Sequence, residues 1–143
     1  MRHYQTVVIA LGSNLGDREY NLRRAIDAMP IRVVRVSAFI ETEPVDAPPP
    51  RFLNAVVIGY TSLAPDTLLD ALLQLETRLG RVRRGVRNEP RVIDLDLILY
   101  GATRMRTPKL TLPHPRAHER AFVMEPMRSV WSAAAGLLFP RPQ

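Results

Sequence analysis

Apolar and polar positions change rhythm several times along this chain, and each change marks an expected element. Gln5 to Leu11 is an almost unbroken apolar run, which predicts a buried strand. Gly12-Ser13-Asn14 then predicts a turn. Asp17 is placed to cap a helix whose apolar positions, Leu22, Ala25, Ile26 and Met29, recur at helical spacing until Pro30. Ile31 to Ile40 alternates and is rich in Val, predicting a second strand, and Leu53 to Tyr60 predicts a third. Between them, Glu43 to Arg51 is a proline-rich loop unsuited to a central strand. Pro65 opens a helix with Leu68, Leu69, Leu72, Leu75 and Leu79 as its stripe, and Gly80 ends it. Arg81 to Pro90 is a polar loop, and Val92 to Tyr100 predicts a fourth strand. A short hairpin near Thr103 to Thr107, a helix after His114 and a further helix over 124–135 complete the reading.

The order β-α-β-β-α-β predicts an α+β fold of the split βαβ, ferredoxin-like kind. Its core is a four-stranded antiparallel sheet with helices on one face, followed by a C-terminal hairpin and helix extension. The 143 residues suit one domain over 1–143. The sequence has no apolar run long enough to span a bilayer, no signal-like start and no cysteine. The cytoplasm is the default expectation, with no membrane partner. The net charge of +6 draws anions, and the cations are Arg except for Lys109.

Chemistry concentrates in Val92–Tyr100. Strand alternation puts Ile93, Leu95, Leu97 and Leu99 on one face and Asp94 and Asp96 together on the other. Adjacent carboxylates repel unless a divalent cation lies between them, and strand-borne oxygen ligands suit Mg2+. A solvated sheet face with two ordinary aspartates is the plain alternative. Just upstream, Arg81, Arg83, Arg84, Arg87 and Arg91 crowd one loop. Together with the Asp pair they could hold a metal-bound polyphosphate and neutralise its charge during transfer. In Leu112-Pro113-His114-Pro115, the histidine is fixed between prolines and could contact a phosphate. A zinc pair with His118 lacks a nearby third ligand. Gly12 to Asp17 looks like a phosphate loop but lacks its Lys-Ser/Thr ending, so a tight turn is the better reading. Phe52 and Phe122 could sandwich a flat heterocycle or simply pack.

Taken together, ALGSNLGD at 10–17, FLNAVV at 52–57, LETRLGRVRRGVRNEPRVIDLDLILYG at 75–101 and LTLPHPRAHERAFVMEPM at 110–127 resemble the pyrophosphokinase family of folate biosynthesis. The combination G-R-x-R-x(7)-R-x-x-D-L-D followed by L-T-x-P-H is highly specific. The resemblance implies transfer of pyrophosphate from ATP to the hydroxymethyl group of 6-hydroxymethyl-7,8-dihydropterin, by a monomer. It implies that Asp94 and Asp96 hold two Mg2+ ions and that Arg81 and Arg91 act on the transferring group. Leu73, Glu76, Arg83, Arg87, Arg91, Leu97, Lys109, Thr111, His114 and Arg120 fall at positions near ATP. Thr42, Glu43, Val45, Phe52, Asn54, Asn88, Asp94 and Phe122 fall near the pterin. The loops at Gly12, 43–51 and 81–90 would close over the reactants. Departures from relatives occur at Glu43, Leu73, Asn88 and Pro115.

Two other classes fit parts of the pattern. A nucleic-acid-binding module on this fold would place aromatics on the central strands, where this sequence has Asp94 and Asp96. No nucleic-acid partner is therefore expected. A metal-dependent nucleotidyl transferase or cyclase would use the same paired aspartates and differ in its products. The residues alone reach a Mg-dependent enzyme acting on a nucleotide polyphosphate; the pterin comes from the resemblance.

Overall fold

A computed structural model describes residues 3–42, 50–85, 89–115 and 124. The chain runs through β1 (Gln5–Ser13), α1 (Arg18–Asp27), β2 (Arg32–Val36), β3 (Ile40–Thr42), β4 (Phe52–Thr61), α2 (Pro65–Arg78) and β5 (Asp94–Tyr100). A two-strand ribbon of β6 (Met105–Arg106) and β7 (Thr111–Leu112) follows. The antiparallel sheet has the order β2-β4-β1-β5, with β3 beside β4. β1 lies between β4 and β5 and is buried from Val7 to Ser13, which explains its unbroken apolar run. No helix among the described residues is long and apolar enough to cross a membrane.

Each helix obeys its boundary signals. Asp17 caps α1 by accepting from the Tyr20 N–H at 3.1 Å. Pro65 sits at the start of α2, and Gly80 follows its end at φ +104°. Leu22 and Ala25 of α1 and Leu68, Leu72 and Leu75 of α2 pack with Val7, Ile9, Leu11, Ala55, Val57, Leu95 and Leu97. Each fully buried Leu or Ile contributes about 1.5–3 kcal/mol relative to exposure.

Three expectations need correction. Gly12 and Ser13, expected in a turn, continue β1 and pair with Asn54 and Leu53 of β4. The sheet has five strands, because the single strand expected over Ile31–Ile40 is broken at Ser37. Ser37 N–H donates to the Val56 carbonyl at 2.9 Å. Its Oγ accepts from the Val56 N–H at 2.8 Å, so a side chain stands in for a ladder carbonyl. Leu99 also departs from the expected face. Val8 pairs with Leu99 and Ile9 with Leu97, leaving Ile98 as an extra residue. One inserted residue shifts the two-residue period, so Leu99 joins Asp94 and Asp96 instead of Leu95 and Leu97. The helices expected after His114 and over 124–135 lie outside the described residues, Met124 excepted.

Candidate active site

The end of α2 builds one side of the site. Gly80 N–H donates to the Thr77 carbonyl at 3.1 Å and Arg81 N–H to the Glu76 carbonyl at 3.0 Å. These two bonds are the glycine-terminated helix closure in which the chain doubles back over its last turn. The closure brings Arg81 over Glu76, and Arg81 Nη1 donates to Glu76 Oε2 at 2.9 Å. The same nitrogen reaches Asp94 Oδ1 at 2.8 Å. Arg83 Nη2 donates to Glu76 Oε1 at 2.8 Å, and the Leu95 N–H donates to Oε2 at 2.7 Å. Glu76 is 2% exposed and thus joins α2, the arginine loop and the start of β5. Burial pushes its carboxyl above the usual 4.5, against the opposing pull of the Leu95 N–H and the Arg81 guanidinium.

The sheet supplies the other side. Gly12 pairs with Asn54 of β4 and with Asp94 of β5, so the three form one row across the sheet. With strands about 4.8 Å apart, Asn54 and Asp94 flank a floor about 10 Å wide that has no side chain at its centre. A Cβ on Gly12 would lie 3.1 Å from Asn54 Oδ1 and 3.3 Å from the Phe52 ring, so glycine permits their close approach. Asn54 Nδ2 donates to Thr42 Oγ1 at 2.5 Å. The Arg91 guanidinium lies 5.5 Å from the centroid of Phe52, and its Nη1 is 3.5 Å from Asp94 Oδ2.

Thr42, Phe52, Asn54, Glu76, Arg81, Arg83, Arg91 and Asp94 therefore meet at one end of the sheet, with Asp96 two residues along on the same face as Asp94. Other expected residues are placed differently. Leu97 is 4% exposed in the helix-side core, on the face opposite Asp94. Leu73 is 40% exposed on α2. Lys109 pairs with Asp70 at 2.8 Å, tying the turn before β7 to α2. Thr111 pairs with Arg106, and His114 N–H donates to the Ile98 carbonyl at 2.9 Å, which sets the end of β7 beside β5. Glu43, Val45, Arg87, Asn88, Arg120 and Phe122 lie outside the described residues. A cleft of about 570 Å3 between α1 and the β2–β3 connection is lined by Glu19, Arg23, Asp27 and Phe39, among others, and by none of the expected site residues.

Charge tests the fit of a metal. Among the described residues, Arg81, Arg83 and Arg91 pair with Glu76 and Asp94, and Asp96 adds a further carboxylate on the same face as Asp94. A divalent cation between the two strand carboxylates would relieve their mutual repulsion. No set of three or more His, Cys, Asp or Glu residues able to hold a metal occurs among the described residues. Mg2+ commonly takes only one or two carboxylates and completes its shell with water and phosphate oxygens, so the donor set suits it.

The sequence marks Asn14 only as part of a turn. It is 3% exposed and bonds to the peptide groups of Arg91. It ends the buried stretch that begins at Val7, and nothing in its spacing marks a partner 77 positions away.

Strand carboxylates beside arginines of the preceding loop are an arrangement suited to phosphoryl transfer. Residues 8–132 match the family model of 7,8-dihydro-6-hydroxymethylpterin-pyrophosphokinase (HPPK), and the chain belongs to that family. It is 43% identical over 127 residues to the 2-amino-4-hydroxy-6-hydroxymethyldihydropteridine pyrophosphokinase of Bacillus subtilis, covering 85% of this chain and 75% of that one. It is 44% identical over 128 residues to a folate synthesis bifunctional protein of Arabidopsis thaliana, covering 87% of this chain and 26% of the relative. The chain thus spans about a quarter of the length of that relative. A crystal structure of Plasmodium falciparum HPPK-DHPS has the same fold, with a TM-score of 0.66 at 10% identity over 91% of this chain and 41% of that one.

Proposed function

We propose that this chain transfers pyrophosphate from ATP to the hydroxymethyl group of 6-hydroxymethyl-7,8-dihydropterin, yielding AMP and the pterin pyrophosphate in tetrahydrofolate synthesis. The observation that carries the reading is the convergence of Arg81 and Arg91 on Asp94 beside the open row Asn54–Gly12–Asp94. The strand order and the two helices on one face support the ferredoxin-like arrangement for the scaffold.

Asn54 and Thr42 offer hydrogen bonds to the polar edge of the pterin, and Phe52 offers it a stacking face. Asp94 also borders this floor and orients the hydroxymethyl group. Two Mg2+ ions held by Asp94 and Asp96 would lower the repulsion between the triphosphate and the attacking oxygen. Arg81 and Arg91 sit where charge builds on the transferring oxygens, and Arg83 extends this positive edge toward the nucleotide. The hydroxymethyl oxygen bonds to the β-phosphorus of ATP as the bond from that phosphorus to the oxygen bridging to the α-phosphorus breaks. AMP leaves with that oxygen, and the hydroxyl proton passes to solvent. Leu73, Lys109, Thr111 and His114 are proposed to line the nucleotide side, together with the backbone at Leu97. Arg87 and Arg120 join them on the family pattern, as Glu43, Val45, Asn88 and Phe122 join the pterin side. The proposed unit is a cytoplasmic monomer acting on small molecules.

Asp94→Ala and Asp96→Ala test the reading. Each should lower turnover by at least about 10³-fold, since each removes a ligand for the charge that transfer requires. Melting should stay cooperative. Near-normal turnover in both variants would remove the aspartates from the chemistry.

A further inference from the structure

We propose that Asn14 is a positioning residue that sets Arg91 for phosphoryl transfer and couples it to the pterin wall. The inference rests on the reading of Arg91 given above. Asn14 N–H donates to the Arg91 carbonyl at 3.1 Å, and Asn14 Oδ1 accepts from the Arg91 N–H at 2.7 Å. One asparagine thus clamps the peptide groups on both sides of the Arg91 Cα, as a neighbouring strand would. Its Nδ2 donates to the Pro50 carbonyl at 3.4 Å, two residues before Phe52.

The side-chain contacts described for Arg91 are longer. Its Nε reaches the Glu89 carbonyl at 3.3 Å, its Nη1 lies 3.5 Å from Asp94, and its guanidinium stands 5.5 Å from the Phe52 centroid. The short bonds are on the backbone, so the backbone clamp fixes where the guanidinium can reach. Asn14 is itself held. Ser13 is fully buried and its Oγ accepts from Asn21 Nδ2 at 3.2 Å. The same nitrogen of Asn21 donates to the Leu15 carbonyl at 2.9 Å. The first turn of α1 therefore anchors the clamp from behind.

Residue chemistry explains why asparagine stands there. Arg91 needs an acceptor for its N–H, and Pro50 needs a donor for its carbonyl. An amide offers both on one short side chain, whereas aspartate offers the acceptor alone. A pterin arriving on Phe52 meets the Arg91 guanidinium already over that ring, and Asn14 joins the chain segments that carry both groups.

The test is rapid-quench single turnover with Mg2+, ATP and the pterin, on wild type, Asn14→Ala, Arg91→Ala and the double variant. Asn14→Ala should slow the chemical step about 10²-fold, the penalty expected of a misplaced catalytic group. Equilibrium binding of Mg-ATP should change less than about threefold, a split that general loosening would not give. In the Arg91→Ala background, Asn14→Ala should cost less than about threefold, because the two act as a unit. Asn14→Asp keeps the acceptor for Arg91 and should stay within about tenfold of wild type. It also serves as the decisive variant if Asn14→Ala does not fold. A wild-type rate in folded Asn14→Ala, a full multiplicative loss in the double variant, or a loss beyond about 10²-fold in Asn14→Asp would each overturn the proposal. Product formation by wild type, and its loss in Arg91→Ala, test the underlying reading separately.

Discussion

Arg81 and Arg91 approach the same carboxylate, Asp94, yet the chain fixes them by different means. Arg81 is placed locally. It lies five positions after Glu76, and the glycine closure of α2 folds it back onto that residue. Arg91 is placed at long range, by an asparagine 77 positions away in sequence. The Arg81 side chain is 11% exposed and bonded to two carboxylates; that of Arg91 is 19% exposed and only loosely paired. The Arg81 flank is thus part of the folded core's polar edge, while the Arg91 flank depends on three loops meeting correctly. One flank should couple catalysis to stability and the other should separate them.

The largest expected effect breaks the Arg81 flank outright. Glu76→Ala leaves the Leu95 N–H unpaired and takes from Arg81 the more buried of its two carboxylates, and should cost about 3 kcal/mol in urea unfolding. A loss under about 1 kcal/mol would mean that the network adds little to the fold. The next contrast compares the arginines themselves. Arg81→Ala and Arg91→Ala should each slow single turnover by about 10²-fold. Arg81→Ala should also lose about 2 kcal/mol of stability, because it strips a charged hydrogen bond from buried Glu76. Arg91→Ala should lose under about 1 kcal/mol, in keeping with its long contacts. Equal stability losses would erase the distinction between the flanks. A smaller effect comes from Gly80→Ala, which puts a side chain at φ +104°. It should cost about 1–2 kcal/mol and lower the rate only while Arg81 is present, as unfolding and a double-variant rate comparison would reveal.

The smallest effect is the pH dependence of Glu76. Burial raises its folded pKa above 4.5, so the folded chain takes up that proton at a higher pH than the unfolded chain does. The stabilising contribution of this titration is complete below 4.5 and is lost as pH rises through the raised value. Compared with Glu76→Gln, which cannot titrate, wild type should therefore lose relative stability as pH rises from below 4.5 through the raised value. A relative stability that grows with pH would show that the arginine pairs outweigh burial.

The same contrast explains what the sequence could reveal. α1, α2, β1, β4 and the shared face of Asp94 and Asp96 rest on local rules of period, cap and turn, and they were legible. So was the arginine loop after Gly80. The break at Ser37 was not, because Val-rich alternation looks the same whether a ladder carbonyl or a serine hydroxyl fills one place. The shift of Leu99 was equally hidden, since an extra residue in a strand of Leu and Ile changes no residue type. The roles of Glu76 and Asn14 depend on partners brought near by the finished sheet, and spacing along one chain carries no record of them.

The most direct test of the central claim is a product assay on the wild-type chain with ATP, Mg2+ and 6-hydroxymethyl-7,8-dihydropterin. Wild type should give AMP and the pterin pyrophosphate in equal amounts, with both lost on adding EDTA. Release of pyrophosphate with the nucleotide joined to an acceptor, or no AMP from a folded, ATP-binding protein, would contradict that claim.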